Sequence, residues 1–572
     1  MKRYLYFACT IMLATLIASE GAVTGRAQAS NDPELPRVLL DTTMPDTSGW
    51  LVKTVKASGG NYPLTVAGMQ QAIDDAAANT SASGIIIKID PTDLVASLVL
   101  KRQAVDNRFI FIRSSSPVFD AGGAVPPGKR VSPAYASEMV TLRANTGGST
   151  SVIRTEFVDG SKGASFYRVI GIRATVTNTL SAVLTAPIRL GDVSAAQNQL
   201  AEIASDLIID RCYIHGSPLA HVTRGVYINS ARTAVIDSHI EEIHGVGQDT
   251  QAIISINTPG PLKIVNNYME AAGENYLSGG ADPAVQGLVT EDIEFRRNYM
   301  TKKLRWKSAI IPAPAGVVAT AQAGGALEAD KTYTYKVVAL GPVGATTAVG
   351  DPSAAAQATT TATDRQVEIS LSRVQYPTDE RNATSYRIYV SADGGATWLG
   401  YFTHIPADPS AATHTVIHDG AQTLTSGSPA AVGTRWTVKN VFELKYGRRV
   451  LVEANILEYS WKPDQDGYGF LIKTANQDGG VNGNWAVTED VTIRHNKVIH
   501  VGIGIAISHK ATPDLLDGTK RVRVENNLFY DISTDWTATS TPATASCIAI
   551  GGAPPDVQFI HNTIAQANDK GG

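Results

Sequence analysis

The sequence predicts an all-β solenoid interrupted by a β-sandwich insert. Three observations carry this expectation: a short strand motif that recurs eight times, one interval between repeats far longer than the others, and alternating strands confined to that interval.

In chain order, the first feature is a targeting segment. Lys2 and Arg3 precede the apolar run YLYFACTIMLATLIA, and Ala27-Gln28-Ala29 offers a small-x-small cleavage site. This pattern predicts a Sec-type signal peptide over 1–29. The run is shorter than the ~20 apolar residues a membrane span needs, and no other stretch approaches one. The mature chain is expected to be secreted, periplasmic or on the cell surface. Charged residues make up 18% of the chain and the net charge is −4, which gives no electrostatic case for nucleic acid or an anionic membrane. Cys212 and Cys547 remain after processing, too few for a disulfide framework and without zinc-ligand spacing.

The segment 30–307 begins the solenoid. VAGMQQAIDDAAA (Val66–Ala78) puts Met69, Ile73 and Ala76 on one helical face and is followed by the strand GIIIKI; RFIFIRS and YRVIGIRA read as early coils. The repeats are LIIDRCYI, TAVIDSHI, LKIVNNYM, IEFRRNYM, VLVEANIL, VTIRHNKV, VRVENNLF and VQFIHNTI. Their sixth positions are Cys212, Ser238, Asn267, Asn298, Asn455, Asn496, Asn527 and Asn562. Each unit is too short to bury its own apolar residues, so the units must stack. An inward Asn at a bend can bond the local backbone and the matching Asn one layer away, satisfying groups that would otherwise be buried unpaired. Asn also tolerates the left-handed backbone of a sharp bend. Cys212 and Ser238 fit the slot and are expected to end the amide ladder.

The sixth positions are separated by 26, 29, 31, 157, 41, 31 and 35 residues. Removing 308–434, a segment of 127 residues, shortens the anomalous interval to 30. That segment contains TYTYKVVAL and SYRIYVS between Gly/Ala/Ser/Pro-rich joints, the pattern of antiparallel strands. It resembles a fibronectin type III module, expected to act as a spacer or binding module, with an immunoglobulin-like sandwich as the rival. The solenoid resumes over 435–572. The chain stops at NTIAQANDKGG, directly after a repeat, which would leave an open strand edge, so either a missing continuation or another surface covering the end is expected there.

The ladder resembles that of the right-handed parallel β-helix, the fold of the pectate-lyase-like superfamily, over roughly 50–307 and 435–572. The helix Val66–Ala78 resembles that superfamily's cap on the first coil. The resemblance implies an extracellular polysaccharide as partner and, as the leading reaction, β-elimination on a uronic-acid polymer. LIIDRCYIHG is similar to a strand of pectate lyases, but Arg211 stands where they carry His, so Asp210 and His215 are not carried over as catalytic.

Stacking turns sequence offsets into rows on a surface. One outward row contains Tyr213, His239, Tyr268 and Tyr299, candidates for sugar binding; the next contains His215, Glu241, Glu270, Thr301 and Glu458, with Glu242, Lys302 and Lys303 beside them. Lys302 or Lys303 is the candidate base for the lyase reaction. Glu241 and Glu270, one layer apart, are the candidate carboxylate pair of the alternative, a glycoside hydrolase. A third reading is a non-catalytic glycan-binding surface protein. AAGENYLSGGADP offers Glu274 and Asp282, and WKPDQDGYG offers Asp464 and Asp466, as candidate oxygen ligands for Ca²⁺. Every one of these residue types also serves solubility on an ordinary outward strand, so fold alone assigns none of them a role.

Overall fold

Each repeat folds as two short strands joined by a sharp bend, and in all but the last of them a third strand among the described residues leads into the next coil. In the sixth repeat these are Thr488–Arg494, Lys497–Val501 and Ile503–Lys510. A computed structural model describes residues 31–567, apart from 146–149, 159, 178–182, 195–196, 345, 379–380, 463, 477–484, 512–516 and 538–544. The expected signal peptide lies outside the described residues.

Equivalent strands of successive coils pair in parallel and build three sheets of thirteen, eleven and ten strands. The chain is therefore a parallel β-helix. Its interior is one continuous apolar cluster: Val491, Ile493, Val498, Val501, Ile505 and Ile507 of the sixth repeat are all fully buried within it. Burial of stacked β-branched residues supplies the main stabilisation of each coil on the next.

At the bend between the thirteen- and eleven-stranded sheets, the amides form the expected column. Asn455 donates from its backbone N and from Nδ2 to Asn496 Oδ1, both at 2.9 Å, and Asn496 donates likewise to Asn527 Oδ1. Nδ2 of Asn496 also reaches Val452 O at 3.0 Å. Two details differ from expectation. The column does not end at Asn267: Ser238 N donates to Asn267 Oδ1, and Ser238 Oγ accepts from Cys212 N at 3.0 Å. A hydroxyl carries both the donor and acceptor roles, so it continues the chain for one more layer. Nor is the ladder residue left-handed. The positive φ falls on the residue before it, at Arg211, Asp237, Asn266, Arg297, Ala454, His495, Asn526 and His561.

The helix Val66–Ala78 starts at Thr65, whose Oγ1 accepts from Gly68 N, and buries Met69, Ile73 and Ala76 completely against the first coil. Strands between Val318 and His418 belong to neither end of the solenoid. They form two antiparallel sheets, one of Val318–Gln322, Gln366–Ser372 and Thr413–His418, the other centred on Thr332–Val343. Their shared core continues into the solenoid through Trp306, Trp436 and Trp461, so the insert is packed on its root.

The chain before the first coil crosses the outer face of the thirteen-stranded sheet lengthwise. Asp32 pairs with Arg523, Glu34 N donates to Asp490 at 3.1 Å, Arg37 N to Asp292 at 3.0 Å, Lys263 reaches Leu40 O at 2.9 Å, and Arg168 reaches Thr42 O at 2.9 Å. Pro33 and Pro36 favour the extended backbone that such a strap requires.

Candidate functional site

The outer face of the eleven-stranded sheet gathers the charged and aromatic side chains of four adjacent coils. His239–Ile243 pairs with Tyr268–Ala271 in regular register at Ile240 and Met269, then slips: Glu241 and Glu242 together stand opposite Glu270 alone. Glu242 absorbs the extra residue with φ +54°. This bulge turns two neighbouring carboxylates to the same face, where strict alternation would hide one.

Lys303, just past the strand Tyr299–Thr301, sits among all three acids. Its Nζ lies 2.9 Å from Glu270 Oε1, 2.5 Å from Glu242 Oε1 and 3.8 Å from Glu241 Oε2. Arg305 Nη2 also reaches Glu242 Oε1 at 2.5 Å, and His244 Nε2 meets Glu242 Oε2 at 3.1 Å. Because one ammonium touches both, the facing oxygens of Glu241 and Glu270 are no more than about 7 Å apart, below the ~9.5 Å upper limit of glycoside-hydrolase pairs.

The two acids are driven in opposite directions. Burial raises the Glu270 carboxyl to about 7; the Lys303 charge opposes this, and the neighbouring Glu242 and Glu241 carboxylates add to it. Burial also acts against ionised Glu241, but His239, the Tyr213 hydroxyl and Lys303 outweigh it and bring that group down to about 2. His239 Nε2 is 3.5 Å from Glu241 Oε2, long for a hydrogen bond, and Lys303 Nζ is 3.8 Å away, whereas Tyr213 Oη is at 2.5 Å from Oε1, so the phenol makes the close contact.

The outward aromatic row is present but does not offer its ring faces. His239 stacks on Tyr268 at 4.2 Å between centroids, Tyr213 stacks on His215 at 4.3 Å, and Tyr268 meets Tyr299 edge-on at 5.5 Å. Their hydroxyls are tied to carboxylates: Tyr268 to Glu270 at 3.1 Å, and Tyr299 to Glu458.

Lys302 is not on this face. It is 1% exposed, and its Nζ donates to the carbonyls of Ala271 at 2.9 Å and Ala272 at 3.0 Å, and to that of Gly273. Alternation ends at Thr301, so the first lysine turns inward to satisfy a bend and the second turns out. Lys302 is turned away from the acid cluster with its Nζ bonded to three backbone carbonyls, and Lys303, whose carboxylate neighbours raise its pKa against the effect of burial, stays protonated; neither is placed to serve as a base on this face.

The four candidate metal ligands do not form one cluster. Glu274, 2% exposed, accepts from Gln251 Nε2 at 2.8 Å and faces Lys439. Burial, with Glu443 nearby, raises its pKa. Asp464 accepts from Val438 N at 2.8 Å, and Asp466 pairs with Lys462 at 3.2 Å and accepts from Tyr468. Those two line an open groove of about 560 Å³ on the ten-stranded sheet with Lys462, Tyr468, Lys473 and Ser508. Asp282 lies near Tyr446, whose pKa it helps burial to raise. Among the described residues no group of three or more His, Cys, Asp or Glu is placed to hold a metal ion.

Glu242, Arg305 and His244 are central to the cluster; the outward-row reading set Glu242 beside the rows without a specific role and did not reach Arg305 or His244. The doubled Glu in HIEEI, where the next coil has a single Glu in YMEA, was the available signal of a bulge.

No protein-family model matches the chain, and no curated protein matches it. Among solved structures, the catalytic domain of a GH87 alpha-1,3-glucanase in complex with nigerose is 9% identical, with a TM-score of 0.25, covering 93% of this chain and 70% of that one. PfbA, a surface adhesin of Streptococcus pneumoniae, is 8% identical, with a TM-score of 0.22, covering 90% and 94%. Likeness at this level carries no argument about activity. Among the described residues no helix is long and apolar enough to cross a membrane. The chain's own sheets establish what it is in structure: a parallel β-helix that carries antiparallel sheets between two of its coils.

Proposed function

We propose that this is an exported glycoside hydrolase acting on an extracellular glycan laid along the eleven-stranded sheet. The observation that supports this reading is the split pair: Glu270 protonated up to about pH 7 and Glu241 ionised down to about pH 2, both beside Lys303. Such a division is what glycoside hydrolysis asks of two carboxyl groups. Glu270 donates its proton to the glycosidic oxygen as the bond to the anomeric carbon breaks. Glu241 either attacks that carbon or takes a proton from the attacking water. The β-elimination reading loses its base, since Lys302 is enclosed and Lys303 is held protonated. The insert, read as fibronectin type III-like, has no part in the chemistry.

Non-catalytic binding is favoured by one observation, the 2% exposure of Glu270. One assay separates the readings. The mature protein is incubated with neutral glycans and polyuronates, following reducing ends and the absorbance of unsaturated products. Hydrolysis gives reducing ends alone, and Glu270→Gln and Glu241→Gln each lower it ~10²–10⁴-fold. Retention on a glycan column without turnover identifies a binding protein, and absorbance that survives both substitutions would return the lyase.

A further inference from the structure

The segment that leads into the insert does two things at once. Arg305 holds Glu242 of the acid cluster at 2.5 Å, and the adjoining residues open a cleft of about 370 Å³ between the solenoid and the insert. This volume falls within the range of small-ligand sites. Its wall comes from both parts of the chain: Pro218 from the solenoid, Arg305, Trp306 and Trp436 from the root, Pro312 and Pro377 from the insert.

Two indoles and three prolines are among the wall residues, and each indole packs against a histidine ring. His244 lies 3.9 Å from Trp436 and 5.7 Å from Trp306, and His221 lies 5.8 Å from Trp436. Trp306 is 2% exposed, yet its Nε1 has no hydrogen-bond partner, and neither does Oγ1 of Thr378, another wall residue. A buried N–H without an acceptor costs about 1–3 kcal/mol, a cost that a bound acceptor removes. The formal charges on the wall are already answered. Arg305 faces Glu242, and Asp351 accepts from Gly433 N at 2.6 Å and from Arg435 at 3.4 Å.

We propose that this cleft is a binding subsite for one neutral pyranose unit of a glycan, completed by the insert. A pyranose has apolar C–H faces to set against indole and proline rings. Its hydroxyls supply an acceptor for Trp306 Nε1 and a partner for Thr378 Oγ1, and the paired charges leave no demand for a uronate. Arg305 lies in the wall of the cleft and on the acid cluster, so a glycan seated here continues toward Glu270 and Glu241. The inference rests on the glycan reading given above, and it assigns the insert a task that the chemistry alone does not.

The test is a titration of the full mature chain, following tryptophan fluorescence, with six-unit oligosaccharides of β-1,4-glucan, β-1,3-glucan, mannan, xylan and galactan, and with oligogalacturonate. Saturable quenching by a neutral oligosaccharide is expected. Ala313→Trp, which fills the cleft, and Trp306→Phe, which keeps a ring but removes the N–H, each weaken it at least about tenfold. Glu270→Gln lowers turnover ~10²–10⁴-fold and keeps saturable quenching, because the cleft itself is intact. Neutral binding that both cleft variants leave intact overturns the subsite, as does binding of the uronate alone. Turnover without quenching also overturns it while sparing the hydrolase, whereas neither turnover nor quenching rejects both. Should Ala313→Trp fail to fold, Trp306→Phe decides.

Discussion

Lys303 Nζ stands 2.9 Å from Glu270 Oε1 and 2.5 Å from Glu242 Oε1, with a side chain only 22% exposed. One ammonium therefore neutralises acids from two coils. Lys303→Met leaves those carboxylates buried against each other. The expected loss is about 2–4 kcal/mol at pH 8, read as a fall in the urea midpoint. At pH 5, where Glu270 already carries its proton, the loss is smaller. Equal losses at both pH values would show that the lysine contributes packing and not charge.

Glu270 gives the opposite pH signature to an ordinary salt-bridged acid. Its folded pKa of about 7 lies above the ordinary value of 4.5, so the folded state binds the extra proton between those values. Stability from this group is fully present below about pH 4.5 and falls as the pH rises through about 7, a change of up to ~3 kcal/mol. Glu270→Gln should remove that decline and make the protein more stable than wild type at pH 8. Hydrolysis should fall over the same upper limb, because the ionised acid has no proton to give. A wild-type stability profile that is flat from pH 5 to 8 would contradict the assignment.

Much of this could be read from the sequence, for a definite reason. A solenoid converts period into position, so the Asn column and the outward rows of Tyr213, His239, Tyr268 and Tyr299 follow from counting. Counting fails where the register changes. The bulge at Glu242 brings a third acid to the face, and the end of alternation at Thr301 sends Lys302 inward and Lys303 outward, a choice that two adjacent lysines do not reveal. Row membership also says nothing of rotamers: the rings of His239 and Tyr268 turn their faces to one another, which no spacing encodes. Contacts between distant segments, such as Arg305 on Glu242 or Asp32 on Arg523, leave no local trace at all.

The amide column makes its own prediction. In Asn496→Ala, the backbone N of Asn455 loses its acceptor and Val452 O loses its donor, both inside the fold. The expected cost is ~2–4 kcal/mol, from two buried groups left unpaired. Asn496→Ser should cost less, since Ser238 already accepts from Cys212 N and donates to Ile236 O in the same column. Urea denaturation of the two variants checks the order; a serine as damaging as the alanine would mean that the amide's reach to the next layer, not its local caps, stabilises the bend.

The strap from Asp32 to Thr43 predicts a long-range coupling. Its backbone meets Asp490, Asp292, Lys263 and Arg168 in turn, and these belong to strands spread across most of the thirteen-stranded sheet. Each contact is a single hydrogen bond to a charged group, worth about 1.5–3 kcal/mol. Between them the prolines limit the freedom the segment regains when released. Removing residues 31–43 should therefore speed hydrogen exchange along the whole face and not at one coil, with Thr488–Arg494 and Glu291–Arg296 affected together. Asp292→Asn keeps an acceptor for Arg37 N but weakens the pair with Arg449 at 2.7 Å, so it separates loss of the strap from loss of the charge it covers. Faster exchange confined to the first coil in the truncated chain would limit the strap's role to the coil it leads into.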